Sequence, residues 1–197
     1  MTETTIDLLR HGALVGGVRY RGNIEAELTA AGRADMDAVW AQLNTQVGLI
    51  VSSPLGRCRK PAEEWSNQSG IACEIVDDFR EMHYGEWEGL GADEIEQRFP
   101  GQLACWRENP VGMQIPGAES IEDFAARVVR AWGGMLRAHA GHHLLVVAHS
   151  GTLRVILAHV LGAGLPSTRR FAMPYAAWSR VHVSHDRCLL TELNRKP

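Results

Sequence analysis

Thr5-Ile6-Asp7-Leu8-Leu9-Arg10-His11-Gly12 is the stretch on which the fold turns. A short apolar run of strand length stops at Arg-His-Gly, where the glycine lets backbone approach a ligand closely. The same grammar recurs twice more. Residues 48–53 close on Ser52-Ser53-Pro54 with Arg57 one turn later, and residues 143–148 close on His149-Ser150-Gly151. Between these strands the apolar period switches to that of a helix. Met36, Val39, Trp40 and Leu43 follow Thr29, a suitable N-cap, and Ile121, Phe124, Val128, Trp132 and Met135 follow Ser120, another. A helix is expected to begin near Pro54, and Pro61 to kink or shorten it. A third strand at 72–76, an apolar helix at 152–161 and a hairpin of 177–184 with 188–193 around Ser184-His185-Asp186-Arg187 complete the pattern. Alternation of this kind predicts an α/β protein, a three-layer αβα sandwich on a mostly parallel sheet. Residues 1–197 read as one domain. Residues 77–118, rich in Gly, Pro and aromatics, read as a lid-like insertion with short helices near 93–99 and 103–107.

Ligands of open α/β sheets bind beyond the carboxyl ends of the strands. Three parallel strands would therefore bring Arg10, His11, Arg57, His149 and Ser150 to one rim. Guanidiniums and imidazoles around the free N–H groups of helix starts make a site for a tetrahedral dianion such as phosphate. Read singly, each of these residues is as well explained by packing or solvation. Their conjunction at three strand ends is not.

The 197 residues carry 20 Lys and Arg against 23 Asp and Glu, a net charge of −3. That balance excludes nucleic-acid binding by bulk positive charge, so any anionic ligand must meet locally concentrated arginines. No apolar run reaches the ~20 residues of a membrane span, and residues 1–10 lack a signal peptide's pattern. The four cysteines are scattered, as free thiols of a cytoplasmic protein would be. Neither metal nor other cofactor is called for, and His139, His142 and His143 read as a polar loop. The expected partner is a small phosphomonoester, with neither nucleic acid nor membrane involved and a homodimer left open. Cys58, between Arg57 and Arg59, is expected to have a lowered thiol pKa. Trp87 and Trp106 are expected to pack in the core or lid rather than stack on substrate.

Leu8-Leu9-Arg10-His11-Gly12 resembles the signature of the histidine phosphatase superfamily, the phosphoglycerate-mutase-like fold. The resemblance runs on through Ser52-Ser53-Pro54-Leu55 with Arg57, Phe79-Arg80-Glu81, Tyr84-Gly85-Glu86-Trp87-Glu88-Gly89, Gly117-Ala118-Glu119-Ser120 and His149-Ser150-Gly151. Tyr20-Arg21-Gly22 followed by Leu28-Thr29 is most similar to the α-ribazole phosphatase branch, implying hydrolysis of α-ribazole 5′-phosphate in cobalamin synthesis.

The resemblance implies His11 as nucleophile forming a phosphohistidine, Glu81 as proton donor and then base, and His149 as a third catalytic residue. Arg10, Arg57, His149 and Ser150 would bind the phosphate, with Tyr20, Arg21 and His83 on the substrate rim and Arg154 near it. The chain departs from the common pattern at Ala13, Leu14 and Gly17, where relatives carry polar residues. The positions where mutases hold a second phosphate are here Ala92 and the single Arg107, which favours a phosphatase. A broad-specificity or sugar-phosphate phosphatase and a phosphoglycerate mutase remain alternatives. A serine hydrolase using Ser150 lacks the glycines of a nucleophile elbow, since Ala148 and Thr152 stand there. A non-catalytic phosphate-binding module has no use for a nucleophile and a proton donor together.

Overall fold

The computed structural model describes residues 3–185 and 187–197. Asp186 of the expected hairpin turn, and Met1 and Thr2 of the expected leaderless start, lie outside the described residues. The strands are β1 (Thr4–Arg10), β2 (Leu49–Ser52), β3 (Cys73–Ile75), β4 (His143–Ala148), β5 (Trp178–Ser184) and β6 (Arg187–Arg195). They form one sheet in the order β3-β2-β4-β1-β5-β6, with β3, β2, β4 and β1 parallel and the final hairpin antiparallel.

Alternation along the strands sorts side chains into two apolar layers. Leu9, Ile50, Leu145 and Val147 pack against α1 (Ala30–Leu43) and α2 (Gly56–Ser69). Ile6, Leu8, Val51, Leu144 and Val146 pack on the other side against α5 (Ile121–Ala138) and α6 (Ser150–Val160). This is the expected three-layer sandwich. Thr29 and Ser120 cap α1 and α5 as their positions predict, accepting from the N–H groups of Gly32 and Asp123. Asp7 interrupts the apolar run of β1 yet is wholly buried, because Arg180 and His143 at 2.7–2.9 Å bond both its oxygens. No helix among the described residues is long and apolar enough to cross a membrane.

α2 starts near Pro54 as expected, but Pro61 does not shorten it. The helix begins at Gly56, two residues after Pro54, and it runs through Pro61 to Ser69. Proline removes one backbone donor there, but its ring is buried, and burial outweighs a single lost bond.

Residues 77–118 hold two short helices, α3 (Ala92–Arg98) and α4 (Gln102–Glu108), where two were expected. Trp87 and Trp106 are fully buried and edge-on to each other, with Tyr84 edge-on to Trp106, so this segment packs on aromatic rings continuous with the α5–α6 core.

Candidate active site

The register of the parallel strands assembles the site. Arg10 is opposite Ala148 and Ser52 opposite Val147, so His11, His149 and Ser53 leave the sheet side by side. The His11 and His149 ring centroids are 5.3 Å apart. Gly12 is required where α1 begins, because a Cβ there would sit 1.9 Å from the Gly32 carbonyl oxygen.

His11 is 5% exposed, and its Nδ1 lies 2.9 Å from the Gly12 carbonyl oxygen. A carbonyl only accepts, so Nδ1 carries the proton and Nε2 keeps its lone pair. Burial, then the charges of Arg10 and Arg57, hold the imidazole well below the usual histidine pKa. The ring is therefore neutral, with an unprotonated Nε2 in the field of two guanidiniums.

His149 is wholly buried, with Arg57 Nε donating to its Nδ1 at 3.2 Å and its Nε2 2.6 Å from Ser53 Oγ. Both nitrogens are thus engaged, and burial followed by Arg57 also depresses this imidazole well below its usual pKa. The expectation that His149 grips phosphate directly meets a different arrangement: the ring orients Arg57, and reaches a phosphate only if one of those bonds opens. Arg57 further donates to the carbonyls of Gly22 and Ile24 at 2.7 and 2.9 Å.

Unfolded histidines take up protons as pH falls through about 6.5, whereas these two do not while folded. Their stabilising effect is complete above that pH and is lost below it. Between about pH 6 and 5 the unfolding free energy should fall by up to roughly 2.7 kcal/mol per pH unit from the pair. Asp7, held low because His143 and Arg180 outweigh its burial, adds its loss only below about pH 4. Urea unfolding across this range should show His149→Asn halving the slope; an unchanged slope would contradict the buried neutral state.

Glu81 is 7% exposed and enters from the 77–118 segment. Its Oε2 accepts the Gly151 N–H at 2.9 Å and its Oε1 that of Met82 at 3.0 Å. Arg127 on α5 holds the segment, donating to the carbonyls of Asp78, Arg80 and Glu81 while pairing with Glu119. Nothing in the sequence marked Arg127.

These groups open into a cavity of about 380 Å³ lined by seven arginines and a single acid, Glu81. Arg10, Arg57, His11, Ser150, Tyr20 and Arg21, all singled out in the sequence, line it; His83 does not, its ring lying 3.8 Å from Glu88. Ser150 makes no bond to His149, whose nitrogens face Ser53 and Arg57, so no serine–histidine pair exists. Tyr175, Arg107 and Arg169 also line the cavity. Tyr175 lies under Arg10, with the guanidinium 3.8 Å from its ring. It sits there because β5 runs antiparallel to β1 and so starts at the rim where β1 ends. That placement follows from the hairpin rather than from any motif.

A larger cavity of about 530 Å³ opens at the start of α2, on the far side of Arg57. Its acids Glu25, Glu27 and Glu64 face Arg33, Arg59 and Lys60, so it has no comparable anion field. Cys58 corrects an expectation. Fully buried in α2, its thiol is pushed far up by desolvation despite Arg57 beside it, which disfavours the thiolate. Among the described residues no three His, Cys, Asp or Glu side chains form a metal-ligating group.

A family model for the histidine phosphatase superfamily (branch 1) matches residues 6–196. Phosphoserine phosphatase 1 of Hydrogenobacter thermophilus is 25% identical over 177 residues, covering 89% of this chain and 84% of its own. The structure of mycobacterial glucosyl-3-phosphoglycerate phosphatase superposes with a TM-score of 0.88 at 27% identity, covering 98% of this chain and 99% of that one. The α-ribazole phosphatase of Shigella flexneri shares the fold, with a TM-score of 0.85 at 23% identity over 97% of this chain and 96% of its own.

Proposed function

The chain belongs to branch 1 of the histidine phosphatase superfamily, and on that premise we propose that it hydrolyses a small phosphomonoester through a phosphohistidine on His11, without a metal ion. The observation that carries this reading is the His11 ring, its Nδ1 proton tied to Gly12 and its Nε2 free beneath Arg10 and Arg57. Nε2 attacks phosphorus in line as the P–O bond to the leaving group breaks and Glu81 gives that oxygen a proton. Water then attacks the same phosphorus, Glu81 takes its proton, the N–P bond breaks and phosphate departs. Charge on the equatorial oxygens is met by Arg10, Arg57 and the N–H groups opening α6, the positive environment a metal supplies elsewhere.

The finer expectation, α-ribazole 5′-phosphate, rests on Tyr20-Arg21-Gly22 and Leu28. In this chain those residues have structural work. Tyr20 pairs with Leu90 and meets Tyr84 and Trp87 edge-on, Arg21 binds the Val15 and Gly17 carbonyls, and Leu28 bridges Leu14. They fix the loop against the 77–118 segment whatever the substrate. We therefore hold the substrate at the class of small phosphomonoesters, with α-ribazole 5′-phosphate one candidate. Phosphoserine and glucosyl-3-phosphoglycerate, for which two relatives are named, both carry a carboxylate.

Phosphate release by EDTA-treated protein from α-ribazole 5′-phosphate, phosphoserine, sugar phosphates and nitrophenyl phosphate tests the reading. Turnover undiminished by EDTA is expected. Activity restored only by added divalent cation would overturn the metal-free mechanism.

A further inference from the structure

The arginines of the cavity differ in what they hold. Arg57 and Arg21 are tied to backbone carbonyls, Arg10 to the carbonyl of Met173, and Arg19 to Glu94. Of the remaining three, Arg107 is exposed to solvent, whereas the more enclosed Arg154 and Arg169 have no such partner. Neither forms a hydrogen bond or ion pair with a described residue, and the Nε of each is buried without an acceptor. Arg154 projects from α6 one turn after Ser150, and Arg169 closes a 3-10 turn at Leu165–Arg169 with its guanidinium 4.5 Å from the ring of Trp106. Burial and then the Arg169 charge lower the Arg154 pKa. Glu81, the single acid on the cavity wall, has its oxygens on the N–H groups of Met82 and Gly151. Two like charges with buried, unsatisfied donors are unfavourable unless something anionic completes them.

We infer that the substrate carries, besides the phosphate that is removed, a second anionic group, a carboxylate or a second phosphate, held by Arg154 and Arg169. The inference rests on the phosphatase reading for which phosphate is cleaved, but not for the second group's binding. Guanidiniums fork onto either anion, and stacking on an indole fixes the plane of Arg169 for that purpose. This second site is built from α6 and the turn after it, not from the positions at Ala92 and Arg107 that bear on mutase activity. It also ranks α-ribazole 5′-phosphate, which has no second anion, below acidic phosphomonoesters.

The test is a pair of matched titrations into His11→Ala protein, so that the ligand is not consumed. 3-Phosphoglycerate is compared with glycerol 3-phosphate for the carboxylate, and fructose 1,6-bisphosphate with fructose 6-phosphate for the second phosphate. At least one pair should favour the extra anion by about 10- to 100-fold in Kd, the range of a charge-assisted pair. Arg169→Met and Arg154→Met should bring that ratio towards one, and Arg169→Lys should retain part of it. Equal affinities within both pairs, or a ratio untouched by either methionine variant, would overturn the second anion site while leaving the phosphatase reading intact. Absence of phosphate release by wild-type protein from every ester would overturn that reading, and the affinity ratio would still decide this one.

Discussion

His11→Ala protein folds normally and loses turnover by more than about 10⁴-fold, because the covalent route disappears with its nucleophile. The imidazole lies outside both apolar clusters, so neither layer of the core loses a packing member. What goes is a ring whose Nδ1 proton is fixed on the Gly12 carbonyl and whose Nε2 is kept unprotonated by burial and two guanidiniums. The same hydrogen bond serves the intermediate. Once Nε2 bears phosphoryl the ring is cationic, and Nδ1–H still donates to Gly12, so the charge is met without rearrangement. Denaturing wild-type protein in alkali during turnover of labelled substrate should leave label on the chain, and acid should release it. The alanine variant should carry none. Turnover within tenfold of wild type, or label retained by the variant, would sink the phosphohistidine.

The sequence reveals much of this site because the participating groups follow strands closely. Arg10 ends β1 and His11 follows it, His149 and Ser150 directly follow β4, and parallel pairing in register leaves them nowhere else to go. Arg57 is in the first turn of α2 and arrives by the same logic. Groups carried by irregular chain are not legible. Tyr175 depends on where the antiparallel hairpin starts, Arg169 on a 3-10 turn, and Ser53 on which nitrogen His149 turns towards it. Cys58 shows the complementary error: flanking arginines suggest an activated thiol, but a helix sends successive side chains in different directions, and this one faces the sheet. Tyr20-Arg21-Gly22 is legible in a third way, since residues that hold a loop in place and residues that select a substrate look alike in sequence.

Glu81→Gln separates acid from base. The amide keeps the shape, but its single oxygen can accept from only one of the Gly151 and Met82 N–H groups, and it neither gives nor takes a proton. With an alkyl phosphate the departing alkoxide needs that proton, so the first step slows by about 10²–10⁴-fold and no intermediate accumulates. With nitrophenyl phosphate the phenolate leaves unaided, so the first turnover survives as a burst of one equivalent before slow hydrolysis of the phosphoenzyme. Gly151→Ala approaches the same site from the other side. Its Cβ would stand 2.3 Å from Glu81 Oε1, displacing the end of a flexible side chain rather than backbone. Gly151 lies in the first turn of α6, where alanine is the better helix former by up to about 1 kcal/mol, which offsets part of the clash. Activity on alkyl phosphates should therefore fall by at least tenfold while thermal stability changes little. Equal losses on alkyl and nitrophenyl esters in the first turnover of Glu81→Gln would remove Glu81 as the acid, and an alanine at 151 without effect would show that its carboxylate position is not what limits the rate.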